Sequence, residues 1–161
     1  MALVYLSLGS NLGDREKYLA EARRAMEKSF SSVRFSKVYE TEPVDFKDQP
    51  WFLNQVAEVQ TELQPGSLLE WVHALEASHG RQRVTPKGPR TLDVDILLYD
   101  DWVMEECDLT LPHPELTRRR HVLVPLSELA PEKWIPVSDL SVLEALEQLK
   151  DSTQVKPHAS S

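Results

Sequence analysis

An α+β fold, with one antiparallel sheet and helices on one of its faces, is what this sequence predicts on three observations. Apolar residues alternate with period two over 2–8, 33–40, 52–62 and 93–99, the mark of strands. Between the first pair and the last pair of these segments the period lengthens to about 3.6, the mark of amphipathic helices. The eleven prolines fall mostly between periodic segments, where they act as breakers. The resulting order, β-α-β-β-α-β, is the split-βαβ, ferredoxin-like arrangement, here followed by a C-terminal hairpin and short helices.

Each element has a local reason. In the first strand Leu3, Tyr5 and Ser7 point one way and Val4, Leu6 and Leu8 the other. It is mostly apolar, which predicts a central strand ending at Gly9. The first helix spans 14–29, with Asp14 as N-cap and Tyr18, Ala22, Met26 and Phe30 on one stripe. After strand 33–40 comes a polar, Pro-bearing loop from Glu42 to Pro50. In strand 52–62, Phe52, Asn54 and Val56 share a face. Pro65 suits the first turn of the second helix, which has an apolar stripe of Leu68, Leu69, Val72 and Leu75 and ends at Gly80. A basic loop, 81–90, leads into strand 93–99, and 102–111 read as a return strand forming a hairpin. A last short helix starts at the Ser141…Glu144 capping box. Residues 1–150 thus form one domain, and the polar tail 151–161 is expected to be mobile.

Composition narrows the function. The chain has 161 residues and a net charge of −8, from 18 Lys and Arg against 26 Asp and Glu. An isoelectric point near 5.1 argues against a general nucleic-acid binder. The single cysteine, Cys107, excludes an internal disulfide and a multi-cysteine zinc site. No apolar run is long enough to span a membrane. The N-terminus lacks the basic region of a signal peptide, so the expected location is the cytoplasm.

The strongest local signal is Gly88-Pro89-Arg90-Thr91-Leu92-Asp93-Val94-Asp95-Ile96. On a strand, Asp93 and Asp95 share a face about 7 Å apart at their roots, while Val94, Ile96 and Leu98 take the other. Two such carboxylates repel unless a cation lies between them, and oxygen ligands of this kind suit Mg²⁺ with waters and substrate phosphates. The plain alternative is two exposed acids near a strand end. Against it stands the cluster Arg81, Arg83, Lys87 and Arg90, with a second at Arg118, Arg119 and Arg120. Arginine forks bind phosphate oxygens in two-pronged geometry. Either cluster alone is equally consistent with a solvated basic loop. Gly9-Ser10-Asn11-Leu12-Gly13 follows a strand and opens a helix, so its backbone can approach a ligand or simply make the turn. His113, between Pro112 and Pro114, lies in a stiff loop and is open to a structural or a functional role. The G-x-x-x-x-G-K-[ST] and G-x-G-x-x-G phosphate motifs are absent.

Taken together these pieces resemble the 6-hydroxymethyl-7,8-dihydropterin pyrophosphokinase family of folate biosynthesis. The matching segments are Ser7 to Gly13, Tyr39-Glu40-Thr41, Asp48-Gln49-Pro50 with Phe52-Leu53-Asn54, Glu76 followed by Gly80-Arg81, Gly88 to Asp95, and Leu111 to Pro114 leading to Arg119. They run in family order over roughly residues 2–135. The resemblance implies transfer of the terminal two phosphates of ATP, together, to the pterin hydroxymethyl group, leaving AMP, with two Mg²⁺.

Residue by residue it implies that Asp93 and Asp95 hold both metals. Arg81, Arg90 and His113 contact the phosphates, and Arg83 and Arg119 close over them. Asn54 and the backbone near Thr41 and Val44 read the pterin edge, Phe52 stacks on one ring face, and Glu76 helps hold the adenosine end. Arg81, Arg83, Arg90 and Asp95 carry the catalytic role. No general base is obligatory, Asp95 being the candidate if one is used.

The chain departs from the family pattern in a short basic loop, in Lys87 where an aromatic is often found, and in His121 at the second pterin-stacking position. The expected partners are small molecules, with no nucleic acid or membrane, and the expected state is a monomer; with the sequence ending at Ser161, no fused dihydropteroate synthase is expected. Two other classes stay open at this point: a non-catalytic pterin or nucleotide binder, and an RNA-binding ferredoxin-like domain. The intact Asp93, Asp95 and arginine groups weigh against the first. The missing aromatic RNA-binding run and the net charge weigh against the second.

Overall fold

The computed structural model describes residues 1–43, 48–79 and 91–158. Its main sheet is antiparallel, in the order β5 (Asp93–Tyr99), β1 (Ala2–Ser10), β4 (Phe52–Thr61), β3 (Tyr39–Thr41), β10 (Val155–Pro157), with β2 (Ser32–Phe35) also paired to β4. β1 is central, as its apolar content predicts. It runs on past the expected stop at Gly9 to Ser10, because Gly9 pairs with Asn54 on one side and Asp93 on the other.

Strand 33–40 divides into β2 and β3 with a one-residue register shift between them. Ser36 is the cause. Its hydroxyl, rather than its carbonyl, accepts from Val56 N at 3.0 Å, while its carbonyl turns to the Gln55 amide at 2.7 Å.

α1 (Arg15–Ser29) and α2 (Pro65–Ser78) cover one face. Asp14 caps α1 by accepting from Lys17 N at 3.1 Å. Gly13, just before it, has φ +76°, and a Cβ there would meet the Tyr18 ring at 3.1 Å. Ala22, Met26 and Phe30 are buried as the stripe predicts, together with Leu19. Pro65 opens α2, and Leu68 and Val72 lie against Val4, Leu6, Leu8, Leu53 and Ile96 in one core.

The opposite face is also covered, which the periodicity did not reveal. α3 (Arg120–Leu129) and α4 (Val142–Gln148) pack there over Tyr5, Val56, Leu97 and Leu98. α3 escapes a propensity reading because Pro125 lies inside it and supplies no N–H to the carbonyl one turn back. Tertiary burial outweighs that loss. Leu123 and Leu126 are fully buried, each contributing about 1.5–3 kcal/mol by leaving water. The Ser141–Glu144 capping box at the start of α4 is formed as expected.

Three further expectations change. Leu98 joins the α3 side and not the face of Val94 and Ile96, because β5 carries a bulge: Leu6 pairs with Ile96, but Tyr5 pairs with Leu98. Residues 102–111 form no return strand on the sheet. They make a separate two-stranded ladder of β6 (Met104–Glu105) and β7 (Thr110–Leu111). A second ladder joins β8 (Trp134–Ile135) to β9 (Leu140–Ser141). The tail, expected to be mobile, contributes β10, whose Val155 lies opposite Thr41. No described helix is long and apolar enough to cross a membrane.

Candidate active site

Three adjacent strands lay out the site. Gly9 of β1 sits between Asn54 of β4 and Asp93 of β5, and one pleat along, Ser7 sits between Val56 and Asp95. Side chains two apart share a face, so the carboxylate pair and the Phe52–Asn54 pair open onto one surface. Above it is a cavity of about 330 Å³. Thr41, Phe52 and Asn54 line one end, and Asp93 and Asp95 line the floor. His113, Arg119 and His121 close it from the α3 side.

The amide of Asn54 donates to the Thr41 hydroxyl, which fixes the plane of the amide against β3. Gly9 makes this arrangement possible: a Cβ on it would lie 2.8 Å from Asn54 Oδ1. The glycine of the G-S-N motif therefore serves close approach by a side chain, rather than the end of the strand.

The loop that carries His113 is fastened to β5 at the bulge, where His113 N donates to the Leu97 carbonyl at 2.9 Å. His113 Nδ1 accepts from Glu115 N at 3.1 Å, so in the neutral ring the proton sits on Nε2. Nε2 lies 4.0 Å from Asp95 Oδ1. Burial, reinforced by the Arg119 charge and opposed by Glu115 and Asp93, holds the His113 pKa below its ordinary value. The imidazole is thus a neutral N–H donor aimed into the cavity.

Asp95 has about half of its side chain in solvent. A strand-borne carboxylate pair with an accessible member is a donor set of the kind Mg²⁺ uses with substrate phosphates. Among the described residues no cluster of three His, Cys, Asp or Glu side chains forms a complete cation cage.

Glu76 does not line this cavity. It is buried in α2, and its carboxylate accepts from Val94 N at 2.8 Å, which pins the strand between the two aspartates. Val44, Arg81, Arg83, Lys87 and Arg90 lie outside the described residues.

Asn11 and Gln49, members of the matching segments, carry a structural role that their residue types alone do not reveal. The buried Asn11 amide donates to Gln49 Oε1 and to the Pro50 carbonyl, both at 2.8 Å. Arg15 adds a bond to the Trp51 carbonyl at 3.0 Å. The chain entering Phe52 is therefore tied to the turn after β1. The available signal was a polar Asn placed directly after the apolar strand β1, at the turn that leads to α1.

Residues 5–131 match the family model of 7,8-dihydro-6-hydroxymethylpterin-pyrophosphokinase. The chain belongs to this pyrophosphokinase family. Its relatives include the 2-amino-4-hydroxy-6-hydroxymethyldihydropteridine pyrophosphokinase of Haemophilus influenzae, 36% identical over 97% of this chain and 98% of that one. The Bacillus subtilis protein of the same name is 42% identical over 79% of this chain and 77% of its own length. The folic acid synthesis protein fol1 of Pneumocystis carinii is 40% identical over 96% of this chain, which spans 21% of that longer protein. A solved Plasmodium falciparum HPPK-DHPS, with STZ-DHP, superposes with a TM-score of 0.76 over 91% of this chain and 45% of that one. At 16% identity that likeness establishes the pyrophosphokinase fold alone.

Proposed function

We propose that this chain transfers the terminal two phosphates of ATP to the hydroxymethyl group of 6-hydroxymethyl-7,8-dihydropterin and releases AMP. The observation that carries the reading is the single cavity in which Asp93 and Asp95 meet Phe52, Asn54 and Thr41. One end suits a flat, hydrogen-bonding heterocycle; the other suits a charged, metal-bound phosphate chain.

In the reaction the pterin hydroxyl oxygen bonds to the β-phosphorus of ATP. The bond from that phosphorus to the oxygen shared with the α-phosphate breaks, AMP leaves with that oxygen, and the hydroxyl proton is released. Transfer of this kind needs in-line placement and charge compensation more than covalent help. Phe52 and His121 hold the pterin faces, and the Asn54 amide, oriented by Thr41, reads its edge. Neutral His113 donates from Nε2 to a phosphate oxygen. Arg119, with Arg81, Arg83 and Arg90, adds positive charge around the transferred group and helps exclude water.

Asp93 and Asp95 would hold Mg²⁺, two ions in the full reading, which supplies charge neutralisation on the phosphate oxygens. Glu76 acts from beneath the site by fixing β5, and through it the adenosine end.

The test is incubation with ATP, Mg²⁺ and 6-hydroxymethyl-7,8-dihydropterin. AMP with the pterin diphosphate is expected. ADP would make it an ordinary kinase, and no nucleotide product would leave a binding protein.

A further inference from the structure

The ladder between β3 and β4 ends at the site. Thr41 lies opposite Phe52, and among the described residues no pair joins the two strands beyond it. Both residues line the cavity, and the Thr41 hydroxyl orients the Asn54 amide. The end of a short ladder is where a sheet opens most readily, because the last pair is supported from one side only. β10, on the C-terminal strap, supports the outer edge of β3, with Val155 opposite Thr41 and Lys156 opposite Glu40. That support acts on β3 alone and sets no distance between Thr41 and the chain entering β4.

Arg15 spans the open end. It is the first residue of α1, placed there by the Asp14 cap and the turn through Gly13. One guanidinium nitrogen, Nη1, donates to Glu40 Oε2 at 2.7 Å and to the Trp51 carbonyl at 3.0 Å. Glu40 lies just inside the last pair on β3, and Trp51 just outside it on the chain that enters β4. The two N–H groups of a single nitrogen thus tie one chain to the other across the pair. Successive side chains of a strand alternate faces, so Glu40 points toward α1 while Thr41 points into the cavity. Arg15 does not line the cavity and acts from behind the sheet. Its side chain is 27% exposed and that of Glu40 35%, so solvent screens the pair less than an ordinary surface pair. The strap reaches the same acid, with His158 Nδ1 at 3.9 Å from Glu40 Oε1.

We infer that Arg15 is a positioning residue for the pterin end of the site, bracing Thr41 against Phe52 and so fixing where the Asn54 amide and the Phe52 ring meet the ligand. A purely structural role would lower the melting temperature and leave the affinities of the folded protein unchanged. A positioning role weakens pterin binding and spares ATP, whose phosphates are assigned to Asp93 and Asp95 on β5, two strands from β4. The inference rests on the proposed function, because the pterin is the ligand assigned to the Thr41–Phe52 end.

The test compares wild type, Arg15→Met and Arg15→Lys by thermal melting, AMP-release kinetics, and calorimetric titration with 6-hydroxymethyl-7,8-dihydropterin and, separately, with a non-hydrolysable ATP analogue. Arg15→Met keeps the aliphatic stem and loses both bonds. It should weaken pterin binding on the order of fivefold, with KM for the pterin rising more than kcat falls and the affinity for the analogue unchanged. Arg15→Lys presents one nitrogen with N–H groups enough for both acceptors and should recover most of that affinity. Pterin affinity equal to wild type in folded Arg15→Met overturns the inference, as does an equal loss for both ligands or a Lys variant no better than Met. If Arg15→Met does not fold, Glu40→Ala, which removes one of the two acceptors, is judged by the same criterion. Amide hydrogen exchange without ligand reads the brace directly: residues 39–41 and 52–54 should exchange faster in Arg15→Met, and unchanged exchange there is again fatal. A wild type that does not bind the pterin defeats the functional reading itself, and the exchange measurement then still decides whether Arg15 braces the ladder.

Discussion

His113 and Leu97 are joined by one backbone hydrogen bond, His113 N to Leu97 O at 2.9 Å, and that bond ties the imidazole loop to the strand of the carboxylate pair. Leu97 is the extra residue of the β5 bulge. The bulge therefore does two things. It turns Leu98 under α3, and it presents a carbonyl to the loop so that His113 Nε2 comes within 4.0 Å of Asp95. Bulges beside active sites commonly re-aim side chains in this way.

Replacing either aspartate should end turnover and spare the fold. Asp95 is about half exposed at its side chain and makes little of the core, while Val94 and Ile96 on the other face are buried. Loss of a metal ligand removes several kcal/mol of charge compensation, about a thousandfold or more in rate. Thermal melting and AMP release from Asp93→Ala and Asp95→Ala check this; near-normal AMP release would sink the metal assignment.

Gly9→Ala should damage the pterin end selectively. Its Cβ would press on Asn54 Oδ1 from 2.8 Å, and Asn54 can yield only by turning away from Thr41. Misplacing one buried polar partner costs about 1–3 kcal/mol, roughly a tenfold or larger loss of pterin affinity. Titration with pterin and with a non-hydrolysable ATP analogue separates the two ends. Equal losses for both ligands would show that the strand itself has shifted.

His121→Phe should tighten pterin binding by a fraction of the ~0.5–1.5 kcal/mol typical of aromatic pairs, because phenyl offers more stacking area than imidazole. His121 shares the cavity with Phe52, so the effect belongs to the pterin and not to ATP. An altered affinity for the ATP analogue alone would place the residue at the other end of the site.

Acid should weaken the second face through Glu58. Burial raises its pKa, but hydrogen bonds from Arg34 and from Tyr5, with the Arg34 charge, outweigh burial and leave it below the ordinary 4.5. A carboxylate depressed in the folded state stabilises fully above its unfolded pKa, and the contribution is lost as pH falls through the folded value. Arg34 is mostly exposed, so the effect is screened and modest. In urea melts the difference between wild type and Glu58→Gln should shrink as pH falls from neutral to about 3. A constant difference across that range would remove Glu58 from the acid response.

By itself the sequence determined the sheet, the two helices on its first face, and the residue types of the chemistry. Periods of two and 3.6 encode locally which side of a segment is apolar, and Asp93-Val94-Asp95 shows on its face that two acids share a side. The tertiary structure decided what lies opposite what. Register shifts of one residue at Ser36 and at Leu97 leave no trace in hydropathy, yet they divide β2 from β3 and send Leu98 to the far core. α3 was hidden by Pro125, whose local penalty is overcome only by burial against Tyr5, Val56 and Leu98. The polar strap from Asp151 to His158 reads as a loose tail, because an edge strand is held by main-chain hydrogen bonds that any side chain permits. Gly9, Asn54 and Asp93 stand far apart in the chain and meet in one row of the sheet, a convergence set by strand pairing and not by any local pattern.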